Sequence, residues 1–392
     1  MNRREFIHSG AAIATASTAR SYAAIVGAND RVSLGIIGLG RRGLIVGNAF
    51  AQNSKVQIVA LCDIYDKQTD KFRSALGSRL ANPTRVIDYH DLLARKDLDA
   101  VLISTPDHLH VQIASDALAA DKNIYLEKPT LHRWHERAAL LKAASASKRL
   151  LQCGMQQRSG AHYLRAKQEI FETGKLGNVV FVRCVWSNFP WQRRNIPSEP
   201  KPPDLDWNLF LGSAPHVPYL TARYSSWRSY HDYGNGVLAD ILTHWVDVAQ
   251  WMLDDIHPLT ASSIGGIYQL HDGRDNPDTV SSILQYKNWN LNFESSVLSV
   301  RDEHPSVYFE GTEGTLSLTR EGYTLTPNKG EPVVVTSKQD LEIAHTGNFV
   351  DAIVAGGRLN APLSAGMDAT LPVQMALHSY WQNKRITPQD LT

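Results

Sequence analysis

Between residues 31 and 153 the chain repeats one pattern: a short apolar run, a break rich in glycine or proline, then a longer stretch with apolar residues at helical spacing. Residues 31–37, 55–61, 97–104, 123–126 and 150–153 read as strands, being aliphatic or β-branched and too short for helices. Residues 44–51, a stretch beginning near His108, and residues 134–147 read as the helices between them. Strands alternating with helices predict a doubly wound parallel sheet, whose ligands bind beyond the carboxyl ends of its strands. After Gly154 the pattern changes. Residues 178–186, 279–286, 289–299, 306–309, 315–318 and 332–335 alternate or are β-branched and aromatic, with Gly, Asn and Asp turns between them. Strands without intervening helices predict a large, mostly antiparallel open sheet in an α+β domain. A proline-rich stretch (Pro197, Pro200, Pro202, Pro203) and residues 204–212 read as a loop excursion. The expected organisation is a leader and linker over 1–30, a first α/β domain over 31–153 and a second domain over 154–392.

Composition narrows the class. At roughly 150 residues per domain, 392 residues hold two to three units. Hydrophobic residues at 43% and charged residues at 20% exclude disorder, collagen and coiled coil. Forty Lys and Arg against 39 Asp and Glu give +1, so no chain-wide field draws nucleic acid or anionic lipid. Cys62, Cys153 and Cys184 lie in apolar runs without CxxC spacing and read as buried free thiols. At the start, Asn2-Arg3-Arg4-Glu5-Phe6-Ile7 leads into a mild Ala- and Ser-rich stretch and then Ser21-Tyr22-Ala23. That is the pattern of a twin-arginine export signal cleaved near Ala23. The apolar stretch falls short of the roughly 20 residues needed to cross a bilayer. The expectation is a periplasmic or secreted protein, carried folded by the twin-arginine machinery and without a membrane anchor after cleavage.

The first strand runs into Gly38-Leu39-Gly40-Arg41-Arg42-Gly43 and then a helix. In a GxGxxG turn the first glycine permits the bend and the second admits a pyrophosphate. The third allows helix to pack on strand, and the helix N-terminus faces the phosphates. Asp63, at the end of the second strand, is placed to accept hydrogen bonds from ribose hydroxyls. Its charge opposes a 2′-phosphate, so NAD is expected over NADP, with Lys67 nearby moderating that preference. Thr105-Pro106 and Glu127-Lys128-Pro129 end later strands and fall on the same cofactor crevice. His108 and His110 diverge at i and i+2 of a helix start and lack a further ligand cluster. They read as surface or cofactor-rim groups, His110 among the cofactor candidates, and no metal is expected. Pro129 biases Lys128 to extended backbone, and an ammonium at that strand end can stabilise a developing alkoxide.

One later helix, residues 236–251, carries Asp240, His244 and Asp247 at i, i+4 and i+7 among mostly apolar neighbours. A polar stripe on a buried helix is costly unless it lines a cavity or is hydrogen-bonded. Two readings stay open at this point. His244 is an acid–base group with Asp240 orienting it or binding substrate, or it is a core histidine satisfied by Asp247.

The glycine turn, Glu127-Lys128-Pro129, Thr173-Gly174-Lys175-Leu176-Gly177, Asp240-xxx-His244 and the closing segment 345–353 together resemble the Gfo/Idh/MocA oxidoreductase family. The resemblance implies a Rossmann domain and a second α/β domain whose open sheet often mediates homo-oligomers, here a dimer or tetramer. It implies hydride transfer between NAD(P) and a sugar, polyol or glycoside hydroxyl. Lys128 would assist the reacting hydroxyl, Asp240 would contact substrate and His244 would be the general acid/base. Tyr230, Tyr233, Trp186, Trp191 and Arg193 are candidate sugar contacts. A related exported branch looks like NAD-dependent glycoside hydrolases that oxidise C3, eliminate and re-reduce, and Trp227-Arg228-Ser229-Tyr230 is similar to a stretch in it. Lys128 departs from that branch and favours net redox chemistry. Gly234-Asn235-Gly236 departs from the usual triple glycine before the Asp/His helix. A sugar-binding module without turnover is the third reading.

Overall fold

The computed structural model describes residues 31–187, 196–298 and 306–391. The Arg3-Arg4 motif, Trp191 and Arg193 lie outside them. Among the described residues no helix is long and apolar enough to cross a membrane.

Six short strands build the first sheet: β1 (Val32–Ile37), β2 (Val56–Cys62), β3 (Thr84–Val86), β4 (Ala100–Ile103), β5 (Asn123–Leu126) and β6 (Leu151–Cys153). Their order is β3-β2-β1-β4-β5-β6 and every pairing is parallel. Both β4 and β5 are buried along their whole length, as expected of strands covered on two faces. The crossovers carry α1 (Arg41–Ala51), α2 (Asp66–Leu76), α3 (Tyr89–Leu93), α4 (His110–Ala119) and α5 (Arg137–Ala146). The order reverses between β1 and β4, which puts a crevice at the carboxyl ends of these two strands. The first half is the doubly wound sheet its pattern predicts, with β3 a short added edge.

After α6 (Ala161–Ala166) and a π turn over Lys167–Phe171 comes the second sheet. It contains β7 (Val179–Ser187), β8 (Thr260–Gly266), β9 (Thr279–Gln285), β10 (Asn290–Ser296), β11 (Ser306–Gly311), β12 (Gly314–Thr319), β13 (Gly322–Pro327) and β14 (Val333–Thr336). Its order is β14-β13-β12-β11-β7-β10-β9-β8, antiparallel throughout except for the parallel pair β7–β10. In β9, Val280, Ser282 and Leu284 are buried while Ser281 and Ile283 face out, so one face is packed and the other open.

The excursion between β7 and β8 holds α7 (Trp207–Leu211), α8 (Thr221–Ser225) and α9 (Thr243–Leu253). Two closing helices follow β14: α10 (Leu341–Ala355) and α11 (Leu363–Gln382). The packed face of the second sheet is covered by α9, against β7 and β11, and by α11, against β8 and β9. By contrast, α10 returns to the first sheet. Phe349 stands 6.1 Å from Phe50 and 5.9 Å from Tyr125, edge to face, and Val350 joins the same core. The two sheets are thereby joined along the line where the strand ends of the first meet α9 of the second.

Candidate active site

The glycine turn has the geometry of a dinucleotide cradle. Gly38 sits at φ +89°, which side chains other than glycine rarely adopt, and a Cβ there would meet the Ser104 backbone at 2.8 Å. A Cβ at Gly43 would fall 2.0 Å from the Gly38 carbonyl, so strand and helix touch through that hydrogen. At Gly40 the opposite holds: a Cβ would find no atom within 4 Å. Gly40 is also the N-cap of α1, and no side chain caps the helix. Free N–H groups facing open space at a helix start fit the pyrophosphate of a dinucleotide.

Asp63 stands beside this turn. Leu39 N–H donates to its Oδ2 at 2.7 Å and Tyr65 N–H to its Oδ1 at 3.0 Å. Burial pushes the carboxyl up to about 6 against those two hydrogen bonds and Arg85, so it is mostly ionised at neutral pH. Each oxygen keeps lone-pair capacity for a ribose hydroxyl. Replacing Asp63 by Asn should raise the NAD dissociation constant by about 10- to 100-fold, the range for one charge-assisted hydrogen bond. Acidification of the wild type through pH 6 should weaken NAD binding as Asp63 protonates, and calorimetric titration should find the Asn variant flat over the same range.

Arg42, expected at the cofactor rim, is drawn the other way. Its guanidinium grips Glu342 of α10 in a bidentate pair at 2.6 and 2.8 Å and approaches Glu127 at 2.8 Å. Gln156 Nε2 donates to the same Glu342 at 3.1 Å. Arg42 and Glu127 therefore tie the phosphate loop to the closing helix, whereas neighbouring Arg41 is exposed at the helix start. His110 faces two carbonyls, Pro129 O at 2.8 Å and Thr105 O at 3.1 Å, and burial holds it down at about 4. It lies buried between the Thr105-Pro106 and Lys128-Pro129 strand ends, where the neutral ring's single N–H donates to one of the two carbonyls.

A cluster of charged groups forms where β5 ends against α9. A π turn over Leu238–Leu242 precedes α9, a feature the helical spacing did not reveal. The wider turn moves Asp240 out of the phase that i, i+4 and i+7 would give. Lys128 Nζ donates to the Asp240 carbonyl at 2.9 Å and to Oδ1 at 2.5 Å, and Arg228 Nε reaches Oδ1 at 3.2 Å. Burial opposes the Asp240 charge, but Lys128 and Arg228 prevail and hold its carboxyl well below the usual carboxylate range. Asp247 instead takes Arg158, at 2.9 and 3.0 Å from its two oxygens. His244 is thus not the histidine satisfied by Asp247. Its Nδ1 is buried and has no hydrogen-bond partner among the described residues. Burial first, then Lys128 and Arg320, keep its pKa well below the ordinary imidazole value, so the ring is neutral at pH 7.

The excursion walls the crevice. Leu205 pairs with Tyr65 in a short bridge, and Asp206 N–H donates to Ile64 O at 2.9 Å, which anchors the excursion beside the end of β2. Trp207, Phe210, Tyr230 and Tyr233 form one aromatic cluster. Tyr233 is wholly buried, and Arg223 Nη1 donates to its hydroxyl at 3.2 Å while capping the Tyr230 ring at 4.8 Å. These two candidate sugar contacts are held in the wall. His108 joins them, with Nε2 2.9 Å from Phe210 O. Asp107, which the sequence reading left out of the site, is nearly enclosed at the end of β4. Its only signal in the sequence is its place, directly after Thr105-Pro106.

A parallel sheet with an open glycine turn, an ammonium at a strand end and a neutral buried imidazole beside it together form a dinucleotide-type crevice. The chain belongs to the Gfo/Idh/MocA family: residues 32–155 match its oxidoreductase, NAD-binding Rossmann fold and residues 163–317 its C-terminal domain. It is 29% identical over 200 residues to the uncharacterized oxidoreductase YrbE of Bacillus subtilis, covering 50% of this chain and 53% of that one. It is 26% identical over 257 residues to an inositol 2-dehydrogenase of Rhizobium meliloti, covering 65% of each. The chain thus matches between half and two thirds of these relatives' length. Levoglucosan dehydrogenase, solved with NADH and levoglucosan, shares the fold at a TM-score of 0.71 and 18% identity, covering 91% of this chain and 99% of that one.

Proposed function

We propose that the protein oxidises a secondary hydroxyl of a sugar or polyol with NAD as the hydride acceptor, or runs the reverse reduction. One observation carries this reading: among the described residues Lys128 spends two of its three ammonium protons on Asp240 and keeps one, beside an imidazole whose Nδ1 has no partner there. Bound NAD, laid from the Gly40 turn and Asp63 toward the end of β5, would supply the two-electron acceptor. The residues do the rest. The third Lys128 proton orients the reacting oxygen and offsets the negative charge that develops on it. Neutral His244 accepts the hydroxyl proton, and the resulting imidazolium is stabilised by the Asp240 carboxylate one turn earlier. Asp240 remains ionised throughout because two cations bind it. The closed aromatic wall of Trp207, Phe210 and Tyr233 excludes water from one side of the crevice.

The relatives' names support the substrate class. Export in folded form, proposed on the Arg3-Arg4 motif, suits a protein that loads NAD in the cytoplasm and keeps it. The test uses the NAD-loaded protein and a panel of cyclic polyols, sugars and glycosides. The expected result is a rise in reduced-nicotinamide absorbance with formation of a ketone. Aglycone release from a glycoside with no net absorbance change would replace this reading with the hydrolase.

A further inference from the structure

Asp107 lies one residue beyond Thr105-Pro106 at the end of β4 and is 5% exposed. Among the described residues no hydrogen-bond donor reaches its carboxylate. Burial dominates its environment and pushes it up to about 7. Arg228 and Lys128 oppose that through charge, while Asp240 and Glu136 add to it. A carboxylate enclosed this far without a protein donor is left to water or to a bound ligand for its hydrogen bonds. Its neighbours indicate what that ligand is. Gly234 passes so close that a Cβ there would stand 3.3 Å from Asp107 Oδ2 and 2.7 Å from the Trp227 ring. The Arg228 guanidinium lies over that indole at 4.0 Å and reaches Asp240 at 3.2 Å. Two carboxylates thus stand around one guanidinium and one aromatic ring, next to the ammonium assigned to the reacting oxygen. Two hydroxyl acceptors flanking a guanidinium suit a ligand that carries neighbouring hydroxyls.

We propose that Asp107 is a substrate-contacting carboxylate that accepts the hydroxyl adjacent to the carbon being oxidised, making Asp107, Trp227 and Arg228 a specificity subsite for vicinal diols. The assignment rests on the redox reading above. It differs from the roles of Lys128 and His244 because it discriminates among substrates and leaves the hydride step alone.

The test compares wild type, Asp107→Asn and Asp107→Ala as NAD-loaded full chains. The substrates are the polyol the wild type turns over best and its analogue with the neighbouring hydroxyl replaced by hydrogen. On the parent polyol, Asp107→Ala should raise KM about 10- to 100-fold with kcat changed less than about 3-fold and NAD affinity unchanged. The isosteric Asp107→Asn, which keeps one acceptor oxygen, should raise KM less. On the deoxy analogue, wild type and both variants should converge in kcat/KM, because the hydroxyl and its acceptor act as one pair. Equal penalties on parent and deoxy substrate, or a loss confined to kcat or NAD binding, would overturn the assignment while leaving the redox reading standing. A wild type that oxidises no polyol or sugar would overturn both.

Discussion

Substituting alanine for His244 should cut turnover by about two to four powers of ten while the protein still binds NAD. That is the range for losing a positioned general base. The imidazole is buried, held neutral and unpaired at Nδ1, and Asp247, the group that would make it a structural histidine, is already taken by Arg158. Removing the ring therefore breaks no hydrogen bond made through Nδ1, and the loss should fall on kcat far more than on folding. Stopped-flow measurement of nicotinamide reduction, alongside NAD titration by fluorescence, separates the two. A variant that turns over at the wild-type rate with a proven substrate would remove His244 from the chemistry.

The second large effect is expected at Lys128. Exchange for Met, which keeps the length of the chain but no charge, should lower kcat/KM by about two to three powers of ten. It should also strip Asp240 of the partner that does most to keep it ionised, with Arg228 the next strongest cation on it. The activity that remains should therefore fall more steeply on acidification than the wild type's does at saturating NAD, because Asp240 protonates at a higher pH once Lys128 is gone. Lys128→Arg should not restore the wild type, since a planar guanidinium cannot donate to the Asp240 carbonyl, its Oδ1 and a substrate oxygen in the same tetrahedral arrangement. Full activity in the Arg variant would mean that only charge is needed there.

Much of this was legible before any coordinates. The parallel strands from Val32 to Cys153 are short aliphatic runs between glycine and proline breaks, and a strand buried on both faces leaves that trace. The glycine turn, Asp63 and Lys128 were placed by the same logic, because strand ends in such sheets face the ligand. Less was legible where a local signal is weak or where partners are far apart in sequence. Strand β3 is three residues long, and β8 and β13 are rich in Ser, Thr and Gly, so neither apolar alternation nor β-branching marks them clearly. The π turn inserts a phase shift that a 3.6-residue period conceals, and with it the separation of Asp240 toward Lys128 from Asp247 toward Arg158. Arg42 read as a phosphate-loop cation because its partner Glu342 lies 300 residues away. That Arg223 meets both Tyr230 and Tyr233 has no local signal in the sequence either. Asp107 was overlooked for the opposite reason. An acid at a helix start has an ordinary role there, and only its enclosure in three dimensions shows that the role is unfilled.

The central claim, a hydroxyl held between Lys128 and His244 while its carbon gives up hydride, is tested most directly by tracing that hydrogen. The NAD-loaded protein would be taken through complete turnover with a substrate deuterated at the reacting carbon, and cofactor and product would then be weighed by mass spectrometry. Deuterium on the reduced nicotinamide and a ketone lighter than the labelled substrate by one deuterium and one hydrogen is the predicted result. An unlabelled cofactor, with the deuterium still on the carbon of a product that has lost no hydrogen, would contradict it.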